Sequence, residues 1–147
     1  MATETKLRQL ADKGCPVYYF YSSERYLVRQ AVTAITRILT ADSDEDATVL
    51  DGAAPEIEQL IMAAGTISFF GTRRVVVLPE IDPAAYSDKD LEELNSTLSS
   101  LENAVVVLGS VFELERSKLK TGKRAQKLIA QCKALGYTEE LRSEEHT

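Results

Sequence analysis

Apolar positions along this chain alternate between two rhythms: unbroken runs of four or five residues, and a recurrence every three to four. Val17-Tyr18-Tyr19-Phe20-Tyr21, Val75 to Leu78 in a strand predicted from Arg73, and Ala104 to Leu108 form the runs, and Ala47 to Leu50 is a shorter strand. They are rich in aromatic or β-branched residues and lack polar alternation, which predicts strands covered on both faces. Between the runs, the recurrence predicts helices. Thr3 to Lys13 carries Leu7 and Leu10, and Glu24 to Thr40 carries Leu27, Val28, Ala31, Ile35, Ile38 and Leu39. A third helix, opened by Pro55, carries Ile57, Leu60, Ile61 and Ala64; a fourth, begun by Ser87, carries Leu91, Leu94, Leu98 and Leu101. The last runs through Arg124 to Lys133, and Gly136-Tyr137-Thr138 begins a fifth strand. Punctuation agrees with these limits. Gly14 and Pro16 stop the first helix, Ser22 and Ser23 are expected to cap the second above Glu24, and Pro79 ends the third strand.

Strand and helix therefore alternate throughout, with uniformly apolar strands. That order requires right-handed crossovers and a parallel sheet with helices on both faces. The expected architecture is a three-layer α/β domain of about five strands. At 147 residues the chain has the size of one domain, able to bury roughly 70% of the surface its unfolded form exposes. Residues 1–141 are expected to form that domain, with 142–147 a frayed polar tail.

Composition narrows the chemistry. Apolar residues at 44% and charged residues at 27% are ordinary for a globular protein. No apolar run is long enough to cross a bilayer and no signal-peptide pattern opens the chain, so a cytoplasmic setting without membrane contact is expected. Cys15 and Cys132 lack metal-ligand spacing, and the one histidine, His146, lies in the tail. Ser-His-Asp and Cys-His catalysis and the commonest zinc sites are thereby disfavoured. A net charge of −6 argues against general nucleic-acid affinity. Asp42, Asp44, Glu45 and Asp46 read as a solvated acidic loop. Arg116, Lys118, Lys120, Lys123, Arg124, Lys127 and Lys133 read as a solvated helix face, and as the one group suited to a phosphate backbone or an acidic partner.

Open parallel sheets bind ligands beyond the carboxyl ends of their strands. A phosphate-cradling loop after the first strand would need Gly-x-x-x-x-Gly-Lys-Ser/Thr, because bare amides must wrap the phosphates. The chain offers Ser22-Ser23-Glu24-Arg25-Tyr26 instead, with a carboxylate where phosphate charge would sit. Lys120-Thr121-Gly122-Lys123-Arg124 follows the wrong strand and reads as a polar helix start. Glu80 and Asp82 after Pro79 read as turn residues, and a phosphoacceptor site would need an acidic pair after the first strand, where Glu24 stands alone. No catalytic residue, metal or cofactor is expected.

The connection Gly65-Thr66-Ile67-Ser68-Phe69-Phe70-Gly71-Thr72-Arg73-Arg74 breaks the usual rule that connections are polar. Ile67, Phe69 and Phe70 belong in contact with either the core or another protein. This segment with Val75-Val76-Val77-Leu78, together with Val17 to Val28, closely resembles the delta subunit of the bacterial DNA polymerase III clamp loader. The resemblance covers roughly Gly14 to Leu141.

That resemblance implies a fold similar to AAA+ and RecA-like ATPase domains without a working phosphate loop. It implies an apolar wedge that enters a pocket on the ring-shaped sliding clamp, the beta subunit, and favours opening of one ring interface. The matching positions are Ile67, Phe69 and Phe70, flanked by Ser68, Gly71 and Arg73. Further implied partners are the other clamp-loader subunits of the full-length protein, with DNA met indirectly. As an isolated domain the chain would not be an enzyme, although it would belong to a DNA-directed DNA polymerase holoenzyme. Two departures stand out: the family more often has Gly where Ser22 stands, and its members continue through lid and collar domains. Without a collar the chain is expected to stay outside the pentameric loader yet still bind a clamp.

Adjacent residues in an extended turn point in different directions, so one phenylalanine is expected to anchor the loop while the other projects. Each apolar side chain that leaves water for a clamp pocket contributes about 1.5–3 kcal/mol. Arg73 and Arg74 are expected to add charge at the rim, or, for Arg74, to cover the sheet end. The competing readings are a divergent nucleotide hydrolase, a phosphoacceptor domain, and a delta-like scaffold that binds no clamp.

Overall fold

The structure is a computed structural model and describes residues 3–43, 45–65 and 73–143. In chain order the elements are α1 (Glu4–Asp12), β1 (Val17–Ser22), α2 (Arg25–Thr40), β2 (Thr48–Val49), α3 (Ile57–Gly65) and β3 (Arg74–Leu78). A 3₁₀ turn (Pro83–Ala85) precedes α4 (Asp88–Ser99) and β4 (Ala104–Val111), followed by β5 (Leu114–Glu115), β6 (Lys118–Leu119), α5 (Gly122–Leu135) and β7 (Tyr137–Glu140). Five strands form one sheet in the order β2-β3-β4-β1-β7, each pairing parallel.

The unbroken apolar strands have a direct physical reason. Successive side chains of a strand point to opposite faces, and here each face has its own core. Tyr18, Phe20, Val75, Val77, Val105 and Val107 pack with Leu7 of α1 and Val28, Ala31 and Ile35 of α2. Val17, Tyr19, Val76, Leu78, Val106 and Leu108 pack on the other face with Leu60 of α3, Leu94 of α4 and Leu128 of α5. This is the expected three-layer arrangement.

Local chemistry sets the helix starts. Thr3 Oγ1 accepts the Lys6 N–H at 3.2 Å and Ser87 Oγ accepts that of Asp90 at 3.1 Å, each satisfying an amide the helix leaves open. For α2 the expectation needs correction. Glu24 is the N-cap and its side chain makes no capping bond. Ser22 Oγ accepts the Glu24 N–H at 3.1 Å and donates to the Leu141 carbonyl at 2.8 Å, so it joins the ends of β1 and β7.

Other differences are confined to the less regular parts. β4 continues to Val111, and residues 114–119 form an antiparallel hairpin that the sequence reading assigned to a solvated helix face. Its turn places Arg116 and Ser117 at φ 53° and 69°, without the glycine that marks such turns. Ile61, expected on the buried stripe of α3, is 51% exposed. Among the described residues no helix is long and apolar enough to cross a membrane.

Candidate functional site

The two places where the sequence directs attention lie at opposite ends of the sheet. The loop after β1 is at the carboxyl edge, whereas the Gly65–Arg73 connection enters β3 at the amino edge. Five residues of β3 separate them, about 17 Å of extended chain.

At the carboxyl edge the chain fills much of its own crevice. Arg25, the first residue of α2, donates through Nε and Nη2 to the Glu80 carboxylate at 2.7 and 2.9 Å. That donation holds the Glu80 carboxyl below its ordinary range. Glu80, read from sequence as a turn residue, thus bridges the loop after β3 to the start of α2. Asp82 does serve the turn, with Oδ1 accepting the Ala84 N–H at 3.0 Å.

Beneath them Tyr19 donates to Ser110 Oγ at 2.7 Å, and Ser110 donates to the Ile81 carbonyl at 2.7 Å. The Ile81 N–H reaches the Gly109 carbonyl at 2.8 Å. Gly109 allows this approach, since a Cβ there would stand 2.4 Å from the Pro79 carbonyl oxygen. Beside this closure an open groove is lined by Tyr21, Ser23, Glu24, Leu119, Glu140 and Arg142 among others. Its carboxylates, Glu24 and Glu140, are matched by Lys118 and Arg142, and Arg142 already pairs with Glu140 at 2.7 Å, so the groove holds no surplus positive charge for a triphosphate. ATP with magnesium at millimolar concentration is therefore expected to leave the melting temperature unmoved, as differential scanning fluorimetry would register; a rise of about 2 °C or more would instead indicate nucleotide binding. Nor is either cysteine poised as a thiolate. Burial pushes Cys132 up to about 12 and also raises Cys15.

At the amino edge the structure gives the frame of the connection. Ile67, Ser68, Phe69, Phe70 and Gly71 lie outside the described residues, as do residues 144–147 of the tail. α3 leads toward the connection with Ile61 and Met62 exposed at 51% and 73%, and Gly65 at its end is also exposed. Beyond the connection Arg73 lies beside Gly14, and its Nη2 donates to the Ala104 carbonyl at 3.4 Å. Arg74 pairs with Glu45, and its Nη2 lies 3.5 Å from Thr48 Oγ1. The acidic loop is thus only partly a solvated one: Glu45 is drawn inward while Asp42 and Asp46 remain exposed. The sequence signal that would have found this is a carboxylate shortly before the strand that neighbours an Arg-led strand, too weak to stand alone.

A parallel five-stranded sheet with helices on both faces and the order β2-β3-β4-β1-β7 defines a three-layer α/β fold. A solved structure with this architecture is the DNA polymerase III gamma subunit-related protein from Thermotoga maritima MSB8, with a TM-score of 0.66 at 14% identity, over 99% of this chain and 47% of that one. The family model for DNA polymerase III, delta subunit, matches residues 18–136. The chain belongs to the DNA polymerase III delta subunit family. It is 28% identical over 137 residues to DNA polymerase III subunit delta of Bacillus subtilis (strain 168). That match takes in 84% of this chain and 39% of the relative, so the chain spans about two-fifths of that curated protein.

Proposed function

We propose that this chain binds the sliding clamp through Ile67, Phe69 and Phe70, flanked by Ser68, Gly71 and Arg73, and promotes opening of the ring during DNA replication. The observation that carries this reading is the exposed apolar surface of α3. Ile61 and Met62 are exposed at 51% and 73% in the turns before Gly65, so the chain goes from an exposed apolar helix face into an apolar connection. Delta family membership supports the beta clamp as the partner and a cytoplasmic setting. The remaining clamp-loader subunits would be met by the full-length protein, and DNA through the clamp.

Binding energy, rather than bond chemistry, does the work in this reading. A ring interface that exchanges between closed and sprung forms shifts only if the wedge binds the sprung form more tightly. Two apolar anchors suffice to dominate a small interface. No covalent step and no cofactor enter it, and residues 1–141 act as a delta-type N-terminal domain. Titrating the chain against the clamp of the same organism, followed by calorimetry, tests the proposal. Saturable one-site binding is expected; no heat and no co-elution at tens of micromolar would leave the domain a scaffold without clamp contact.

A further inference from the structure

The start of β3 is tied on two sides, and only one of those ties depends on a charged residue from a distant loop. Toward β4, the Arg74 backbone N–H donates to the Asn103 carbonyl at 2.9 Å and Arg73 reaches the Ala104 carbonyl. Toward β2, the Arg74 side chain pairs with Glu45 of the loop between α2 and β2, and lies near Thr48. The side chains of Arg74 and Glu45 are 22% and 19% exposed. Charges so placed have lost much of their hydration, which makes the energy of the pair depend strongly on geometry.

We propose that Glu45 is a positioning residue that fixes, through Arg74, the direction in which the chain enters β3 from the apolar connection. The inference rests on the reading that this connection meets the clamp. With the stem held, less conformational freedom is lost when the apolar residues dock, and affinity rises without any new contact. Glu45 acts from outside the interface.

The test compares the wild-type chain, Glu45→Gln, the charge exchange Glu45→Arg with Arg74→Glu, and Phe69→Ala with Phe70→Ala. Each is measured for affinity to the same organism's clamp and for amide hydrogen exchange at the start of β3. Glu45→Gln should weaken clamp binding about tenfold while the melting temperature stays within about 4 °C. Exchange at the Arg74 amide should quicken, and the charge exchange should regain most of both losses. Glu45→Gln binding as tightly as wild type, while the phenylalanine double variant has lost binding, overturns the inference. Should the wild-type chain itself ignore the clamp, the reading of the partner fails, and hydrogen exchange still decides the latch: an unchanged Arg74 amide in Glu45→Gln overturns it, a faster one supports it.

Discussion

Replacing Phe69 and Phe70 together by alanine should reduce affinity for the clamp by about 10²- to 10⁴-fold, the sum of two apolar anchors at 1.5–3 kcal/mol each. The fold should hardly register the change. Both cores are supplied with large side chains from the described elements, including Tyr18, Tyr19, Phe20, Leu94, Leu98 and Leu128, each essentially inaccessible to water. Titration calorimetry reports the affinity and thermal denaturation reports the stability, and their combination decides between two physical roles. A wedge loses binding with the melting temperature within about 2 °C of wild type. If the double variant unfolds and residual affinity follows only the folded fraction, the pair belongs to the core. Single variants then apportion the lost affinity between the two rings.

Gly109→Ala should lower the melting temperature by about 5–10 °C, on the basis of 1–3 kcal/mol for forcing an atom into a packed region. The backbone at Gly109 is a site of close approach. A Cβ would meet the Pro79 carbonyl oxygen at 2.4 Å and Val28 Cγ1 at 2.8 Å, two groups on different elements. The valine can rotate, but the Pro79 carbonyl is held by the loop whose Ile81 N–H bonds the Gly109 carbonyl. Relief therefore pushes the loop after β3 off the carboxyl edge and strains the Tyr19–Ser110–Ile81 chain of hydrogen bonds. Clamp affinity per folded molecule should stay at the wild-type value, because the lesion is a full strand length from the connection. A melting temperature within about 1 °C of wild type would show that the loop yields freely.

The layout of the domain was legible because its strongest signals agree with one another. Val17 to Tyr21 and Ala104 to Leu108 are too apolar for a half-solvated strand, and the structure covers both faces of each. Ser87 could be assigned as a cap from its two following aspartates and the leucine stripe, and its hydroxyl does cap α4. The sequence reading failed where a residue's neighbours come from elsewhere in the chain. Gly109 and Ser110 look like breakers after an apolar run, yet β4 runs through them because one allows a close approach and the other's hydroxyl finds two partners, the Tyr19 hydroxyl and the Ile81 carbonyl. The β5–β6 hairpin carries no Asn-Gly or Asp-Gly, and its turn takes positive φ at an arginine and a serine, so charge density there suggested a helix face instead. Glu45 looked like one more solvated acid until Arg74 was placed beside it. For the candidate site, the sequence identifies an apolar connection and the fold places its two ends at the surface of the amino edge. The contact itself is a question of partner chemistry, to which the double alanine variant speaks.

The position of β1 has a consequence for how the protein is made. Its lateral partners are β4 and β7, which leave the ribosome long after it, and the Ser22 hydroxyl reaches a carbonyl 119 residues downstream. At a synthesis rate of roughly 5–20 residues per second, the greasy Tyr18-Tyr19-Phe20 ribbon waits about 5–20 s for its first partner strand. During that interval a nascent-chain chaperone has an obvious client, and a premature stop before β4 leaves a fragment whose natural fate is aggregation or proteolysis.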